Sequence, residues 1–276
     1  MKRIAWLTDI HLNFLAPEVY RAMMEGIVDG NPDAVIITGD IGEADSVAGF
    51  LRSMEEWLQR PIYFVLGNHD FYRGAIAGVR REIAALCADS VNLRWLNTAG
   101  VVELGPTTGL VGHDSWCDGR YGDYEGSSLV LSDFLFIEEL LGVGKAGRRG
   151  VLAALADQAA AHFRAVLPEA LERYHHVILA THVPPFEEAC RHDGRATTAD
   201  ALPYYAAKSV GDVLRDAMTA RPDRKLTVLC GHTHCGMNVT VLDNLRVVVG
   251  EVEYGKARVQ QMLEIRPPLA APPAGA

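Results

Sequence analysis

An α/β protein built on a mostly parallel sheet is what this 276-residue chain predicts. Three observations carry that expectation. Short apolar runs without polar alternation recur along the chain, and strands of that kind are buried on both faces. Over the first ninety residues these runs alternate with helical patterns, the order that gives parallel strands joined by crossovers. Five of the runs are followed by residues able to bind metal: Asp9-Ile10-His11, Gly39-Asp40, Gly67-Asn68-His69-Asp70, Thr181-His182 and Gly231-His232-Thr233-His234.

Residues 3–8 form the first strand. A helix over 17–28 follows, with Pro17 suited to its first turn and Gly30-Asn31-Pro32 as its stop. Residues 33–38 are the second strand. In the helix 45–59, Val47, Phe50, Leu51, Met54 and Leu58 recur at three and four and make one core-facing stripe. Pro61 ends it, 62–66 is the third strand, and 74–88 the next helix. Short strands follow at 93–97, 101–104 and 109–111, the last closed by Gly112-His113-Asp114-Ser115-Trp116. Residues 117–150 read as an excursion forming part of a rim or lid, with 129–141 inside it as a core helix. A long helix spans 151–174, with a break near Pro168, and 177–180 is a buried strand. The second excursion, 184–208, has the length of a functional loop. Ser209 caps a helix over 210–218, 225–230 is a strand, and 239–242, 245–249 and 258–265 form a closing antiparallel meander. The expected organisation is one domain, 1–265, and a disordered Pro- and Ala-rich tail, 266–276.

A net charge of −9 argues against a general nucleic-acid binder, which needs a positive footprint. It leaves room for a small phosphorylated or nucleotide-like substrate, because a local metal charge would dominate there. The five cysteines (Cys87, Cys117, Cys190, Cys230 and Cys235) are odd in number and lack scaffold or zinc-ribbon spacing, which favours a reduced, cytoplasmic setting. Asp9 interrupts the first apolar stretch, so the N-terminus reads as a core strand and not a signal peptide. No apolar stretch reaches the ~18 residues of a membrane span.

Ligands of open α/β proteins collect at the carboxyl ends of strands. On an extended chain Asp9 and His11 point to one side, as do His232 and His234. Asp40 can bridge two ions through its two oxygens, Asn68 offers a carbonyl oxygen, and His182 a ring nitrogen. Seven such donors exceed one tetrahedral site. They divide into two overlapping sets sharing Asp40, with ions ~3.5–4 Å apart. Glycines 39, 67 and 231 permit close backbone approach beside them. His69 is left free to stabilise developing negative charge or protonate a leaving oxygen, with Asp70 fixing its tautomer. Cys235, next to His234, is expected to pack as a buried thiol. Taken singly, Asp40 reads as a helix cap, Asn68 as a turn residue and His182 as an edge histidine; it is the ordered set that speaks for a site.

Asp-x-His, Gly-Asp, Gly-Asn-His-Asp, a later His and Gly-His-x-His, in this order from residue 9 to residue 234, resemble the calcineurin-like metallophosphoesterase superfamily. They are similar in particular to its compact bacterial branch that includes cyclic-nucleotide phosphodiesterases. The resemblance implies a four-layer αββα sandwich, two mixed β-sheets between helical layers. It implies one ion on Asp9, His11, Asp40 and His234 and another on Asp40, Asn68, His182 and His232. These would be divalent or mixed-valence transition metals, Mn and/or Fe first, with Zn, Ni or Co as alternatives. The implied act is hydrolysis of a phosphomonoester or phosphodiester by metal-bridging hydroxide, with His69 assisting departure and Asp70 as its partner.

Substrate contacts are expected from the excursions: His113, Arg120, Tyr124 and His192, with Asp114, Tyr121, Arg195, Tyr204, Tyr205 and Lys208 nearby. Arginine grips phosphate oxygens and tyrosine stacks on a base or sugar. The resulting expectation is a soluble cytoplasmic dimetal phosphoesterase that cleaves a phosphodiester in a small nucleotide-like substrate, with no membrane partner and an open oligomeric state. The alternatives are a phosphomonoesterase, and a non-catalytic metal-binding or regulatory protein of the same fold.

Overall fold

The computed structural model describes residues 1–192 and 194–266, apart from the His192 side chain. In chain order the elements are β1 (Lys2–Leu7), α1 (Pro17–Asp29), β2 (Ala34–Thr38), α2 (Val47–Leu58), β3 (Ile62–Val65), α3 (Ile76–Asp89) and β4 (Leu93–Trp95). Then come α4 (Leu96–Ala99), β5 (Val102–Gly105), β6 (Thr108–Gly112), α5 (Asp133–Phe136), α6 (Lys145–Arg173), β7 (His176–Ala180), β8 (Arg191–His192) and β9 (Arg195–Ala196). The chain closes with α7 (Lys208–Ala220), β10 (Lys225–Cys230), β11 (Met237–Leu242), β12 (Leu245–Val249) and β13 (Gln261–Ile265).

One sheet has the order β13-β1-β2-β3-β4 and the other β11-β12-β10-β7-β6-β5. Parallel pairs form the centre of each, and antiparallel strands lie at one edge of the first and both edges of the second. The uninterrupted apolar character of the strands follows from this stacking. Ile4, Trp6, Ala34, Ile36 and Val65 join Leu110, Ile178, Ala180 and Leu229 between the sheets. Their neighbours Ala5, Leu7, Val35, Ile37 and Phe64 face the opposite way, into the helix-lined core. Helices α1, α2 and α3 pack in a row, α3 against β4, while α6 packs on β6, β7 and α7. The result is the αββα sandwich.

The C-terminal meander is a correction: β13 leaves β12 and pairs antiparallel with β1, Lys2 opposite Ile265, which covers what would otherwise be an open sheet edge. Residues 129–141 are not one helix. Phe134, Ile137 and Leu140 are buried, but Val130, Leu135 and Leu141 are exposed, a pattern that suits only the short α5 and a single 3₁₀ turn after it. Helix α6 starts six residues earlier than its apolar pattern suggests and continues through Pro168. Its stripe Leu152, Leu155, Ala159, Phe163, Leu167 and Ala170 is buried, and that packing outweighs the one backbone donor proline lacks. Ser209 does not cap α7; it lies inside the first turn, and its main-chain N–H donates to Asp118 Oδ2 at 2.8 Å. The tail beyond Arg266 lies outside the described residues. No helix among the described residues is long and apolar enough to cross a membrane.

Candidate active site

Strands β1, β2, β3, β7 and β10 deliver their terminal residues to one edge of the sandwich. There Asp9, His11, Asp40 and His234 bring one donor atom each to within 4.8 Å of one another. His11 Nε2 lies 3.3 Å from His234 Nε2 and 3.7 Å from Asp40 Oδ2, and His234 Nε2 lies 3.3 Å from Asp9 Oδ1. The local backbone is not extended, contrary to the period-two argument. Asp9, His11, Asp40, His232 and His234 have φ of 46°, 40°, 52°, 69° and 56°. These left-handed conformations cost non-glycine residues on the order of 1–3 kcal/mol each and persist where the surroundings enforce them. Main-chain bonds across the strand ends do so: Asp9 N–H to Gly39 O at 3.0 Å, His11 N–H to Asp40 O at 2.9 Å.

A second group stands beside the first. Asn68 Oδ1 is 3.1 Å from both His182 Nε2 and His232 Nδ1, and His182 Nε2 is 3.4 Å from Asp40 Oδ2. The far nitrogens of both rings face main-chain carbonyls, His182 Nδ1 at 2.9 Å from Thr38 O and His232 Nε2 at 3.0 Å from Tyr204 O. A carbonyl accepts only, so each of those nitrogens carries the proton. With both rings neutral, the inner nitrogens present lone pairs toward the Asn68 oxygen, an arrangement that a cation satisfies and a hydrogen bond between neutral groups does not. Second contacts that set the tautomer in this way are usual for metal-binding histidines.

The charge balance agrees. Burial opposes ionisation of Asp9 and Asp40, yet the His234 hydrogen bond holds Asp9 below the usual carboxylate range, and the charges of His182 and His69 hold Asp40 well below it. Burial disfavours the charged form of His182 as well, but Asp40 overrides it and raises the ring to about 10, so that without a cation the inner nitrogen holds a proton facing Asp40, which an ion would displace. Burial keeps His11 neutral by pushing it down to about 4. Two ionised, buried carboxylates surrounded by imidazoles require positive charge between them. The mixed oxygen and nitrogen donors fit first-row divalent metal ions.

Two glycines explain how the carboxylates come so close to the backbone. A Cβ at Gly67 would collide with the Asp40 carboxylate, and one at Gly231 with the Asp9 carboxylate and Thr8. Asp70 is a correction. Its Oδ1 accepts from the N–H groups of Ile41 and Gly42, and its Oδ2 from Gly67. It ties the loops after β2 and β3 together and makes no bond to His69, whose Nδ1 is buried with no hydrogen-bond partner among the described residues. The His69 ring instead stacks on Tyr72, 4.2 Å between centroids, and meets His11 edge-on at 4.6 Å.

A cleft of about 400 Å³ opens over both groups, lined by Asp40, Asn68, His69, His232 and His234 together with Tyr72, Asp133, Tyr204, Tyr205, Cys235 and Tyr254. Three expected contacts are absent from its wall. The Arg120 guanidinium is held by Asp157, at 2.7 and 2.8 Å, and by Asp118 at 3.3 Å. Tyr124 is buried and donates to Lys145 O. His113 packs against His162 and Phe163 of α6, its Nδ1 accepting from Ser115 N–H. The neighbouring Asp114 accepts from Leu66, Trp95 and Asn97 and pairs with Arg80, a buried structural hub. The His192 side chain lies outside the described residues. Cys235 borders the cleft and is half-buried instead of buried.

Tyr72, Asp133 and Tyr254 are cleft residues that sequence reasoning missed. The Tyr254 ring lies 4.7 Å from that of His11 and 5.0 Å from that of His234. Only Asp133 carried a signal, as the first acid inside the apolar run 129–141.

A family model described as calcineurin-like phosphoesterase matches residues 2–236, and the chain belongs to that family. With the Asp/His cluster in place, the protein is a metal-dependent phosphoesterase. Solved structures share the fold. Phosphopantetheinyl hydrolase from Mycobacterium tuberculosis aligns over 98% of both chains at 15% identity with a TM-score of 0.69. A dimetal phosphatase from Danio rerio is 14% identical, covering 91% of this chain and 87% of its own, with a TM-score of 0.58. The protein TT1561 of Thermus thermophilus is 16% identical over 91% and 89%, with a TM-score of 0.54. At these identities the likeness is one of fold. No protein with a curated description matches the chain in sequence.

Proposed function

We propose that the protein hydrolyses a phosphodiester in a small, nucleotide-like substrate at a centre of two metal ions. Asp9, His11, Asp40 and His234 would hold one ion, and Asp40, Asn68, His182 and His232 the other, Mn and Fe being the first candidates and Zn, Ni and Co alternatives. When bound, the ions supply Lewis acidity toward the phosphoryl oxygens and a nucleophilic water at neutral pH. The protein contributes the rest. His69 lines the cleft, and its ring makes no hydrogen bond among the described residues, which suits proton donation to the departing oxygen. Tyr204, Tyr205 and Tyr254 offer faces on which a base or sugar stacks. The fold likeness to a dimetal phosphatase supports a two-ion centre.

The observation that carries the diester reading is the composition of the cleft wall. Among the described residues it has four tyrosines and no lysine or arginine. A phosphomonoester brings two negative charges and three terminal oxygens, which arginine is best built to hold. A diester brings one charge and a second organic group, which tyrosine walls can cover. The test is hydrolysis of bis(p-nitrophenyl) phosphate against p-nitrophenyl phosphate by protein reconstituted with each of the five metals. A higher kcat/KM for the diester is expected; an inverted ratio removes the diester reading.

A further inference from the structure

Asp133 comes from the excursion between β6 and α6, 65 residues beyond Asn68, and is buried at 4% exposure. Its Oδ1 accepts two hydrogen bonds, from Asn68 Nδ2 at 2.8 Å and from the Tyr72 hydroxyl at 2.7 Å. Asn68 Nδ2 also donates to the Tyr72 oxygen at 3.3 Å. The Asn68 amide nitrogen, the Tyr72 hydroxyl and Asp133 Oδ1 close a ring of hydrogen bonds. The tyrosine proton is committed to the carboxylate, so its oxygen can only accept from the amide. The amide nitrogen is thereby committed to Asp133 and Tyr72, and Asn68 Oδ1 points toward His182 and His232. Turned over, the amide would present N–H groups to the ligand nitrogens and repel a cation. The same carboxylate anchors the Tyr72 ring on which His69 lies, at 4.2 Å and an interplanar angle of 28°.

We propose that Asp133 is a positioning residue that sets the Asn68 amide toward the second ion and the Tyr72 shelf beneath His69. The inference rests on the two-ion reading above. It joins two parts of the reaction, metal binding and leaving-group assistance, through one side chain whose hydrogen bonds go to Asn68 and Tyr72. Tyr72 follows Asn68 by four residues, directly after the 3₁₀ turn 69–71, so the local chain brings the donors together and α5 brings the acceptor.

The experiment titrates Mn²⁺ into metal-free wild type, Asp133→Asn, Asp133→Ala and Tyr72→Phe by calorimetry, with kcat and KM for a 3′,5′-cyclic nucleotide, whose departing oxygen is an alkoxide that needs the proton, and a melting curve for each. Loss of an outer hydrogen-bond partner typically weakens metal binding ~10–100-fold. Asp133→Ala should weaken the second equivalent by that amount and leave the first within ~3-fold. Asp133→Asn, which keeps the shape and can still accept, should weaken it ~10-fold. Tyr72→Phe should keep both equivalents and lower kcat several-fold with little change in KM. Unchanged affinity for both equivalents in folded Asp133→Asn overturns the proposal, even if Asp133→Ala fails to fold. A wild-type protein that binds a single Mn²⁺ overturns the two-ion reading instead.

Discussion

His69 donates its main-chain N–H to Asp40 Oδ1 at 2.8 Å. That bond engages one carboxylate oxygen and leaves Oδ2 as the atom facing His11 at 3.7 Å and His182 at 3.4 Å. The Asp40 atom nearest to both donor groups is therefore the same oxygen, Oδ2. It also means that His69 contributes twice, with its backbone to the carboxylate and with its ring to the cleft.

His69→Ala keeps the backbone bond and removes the ring. General acid catalysis contributes ~10²–10⁴-fold, so kcat should fall by that order while metal content stays the same. The loss should shrink for a nitrophenolate, a leaving group that needs no proton, relative to an alkoxide. Parallel loss of turnover and metal would show that the ring holds an ion.

Gly67→Ala places a methyl group against the Asp40 carboxylate. Overpacking of this kind costs ~1–3 kcal/mol. Urea unfolding of the metal-free protein should show that cost, and metal titration should show weakened binding, because Asp40 is the group displaced. Wild-type metal affinity in a folded Gly67→Ala would contradict the geometry.

Arg120→Ala should leave KM for any substrate unchanged, since its guanidinium is bound to Asp157 and Asp118. The half-exposed pairing is worth ~0–1 kcal/mol, readable as a small drop in melting temperature. A large rise in KM would return Arg120 to the substrate.

His113→Gln tests the buried histidine through pH. Burial, with help from His162 and Arg80 and against Asp114, pushes His113 down to about 4 from its ordinary 6.5. Between those values the unfolded chain takes up the proton and the folded one does not, so stability falls as pH drops through the window. His113→Gln should make that fall shallower in urea midpoints measured from pH 7 to pH 4. Some slope will remain, because burial also lowers His11 and His162. An unchanged slope would mean that His113 is not buried neutral.

The fold and the donor set were legible because their signals are local. A β-branched run such as Ala34–Thr38 announces a doubly covered strand, and Gly39-Asp40 directly after it announces a strand-end site. What was not legible depends on partners far away in sequence. Ser209 looked like a cap, but the carboxylate that meets the first turn of α7 is Asp118, 91 residues earlier. Asp70 looked like the partner of the adjacent His69, but its oxygens reach Ile41 and Gly42 across the sheet edge. Arg120 and Tyr124 have the chemistry of substrate contacts, yet the excursion folds them onto α6 and its start. The same excursion delivers Asp133 to the cleft. Chain connectivity does not say which residue of a loop will reach a site.

Metal stoichiometry tests the shared centre most directly. Metal-free protein reconstituted with Mn²⁺, cleared of excess and assayed by elemental analysis, should carry two ions per chain, and Asp40→Ala should retain neither at the same concentration. One ion in the wild type, or both retained in Asp40→Ala, would contradict a centre joined through Asp40.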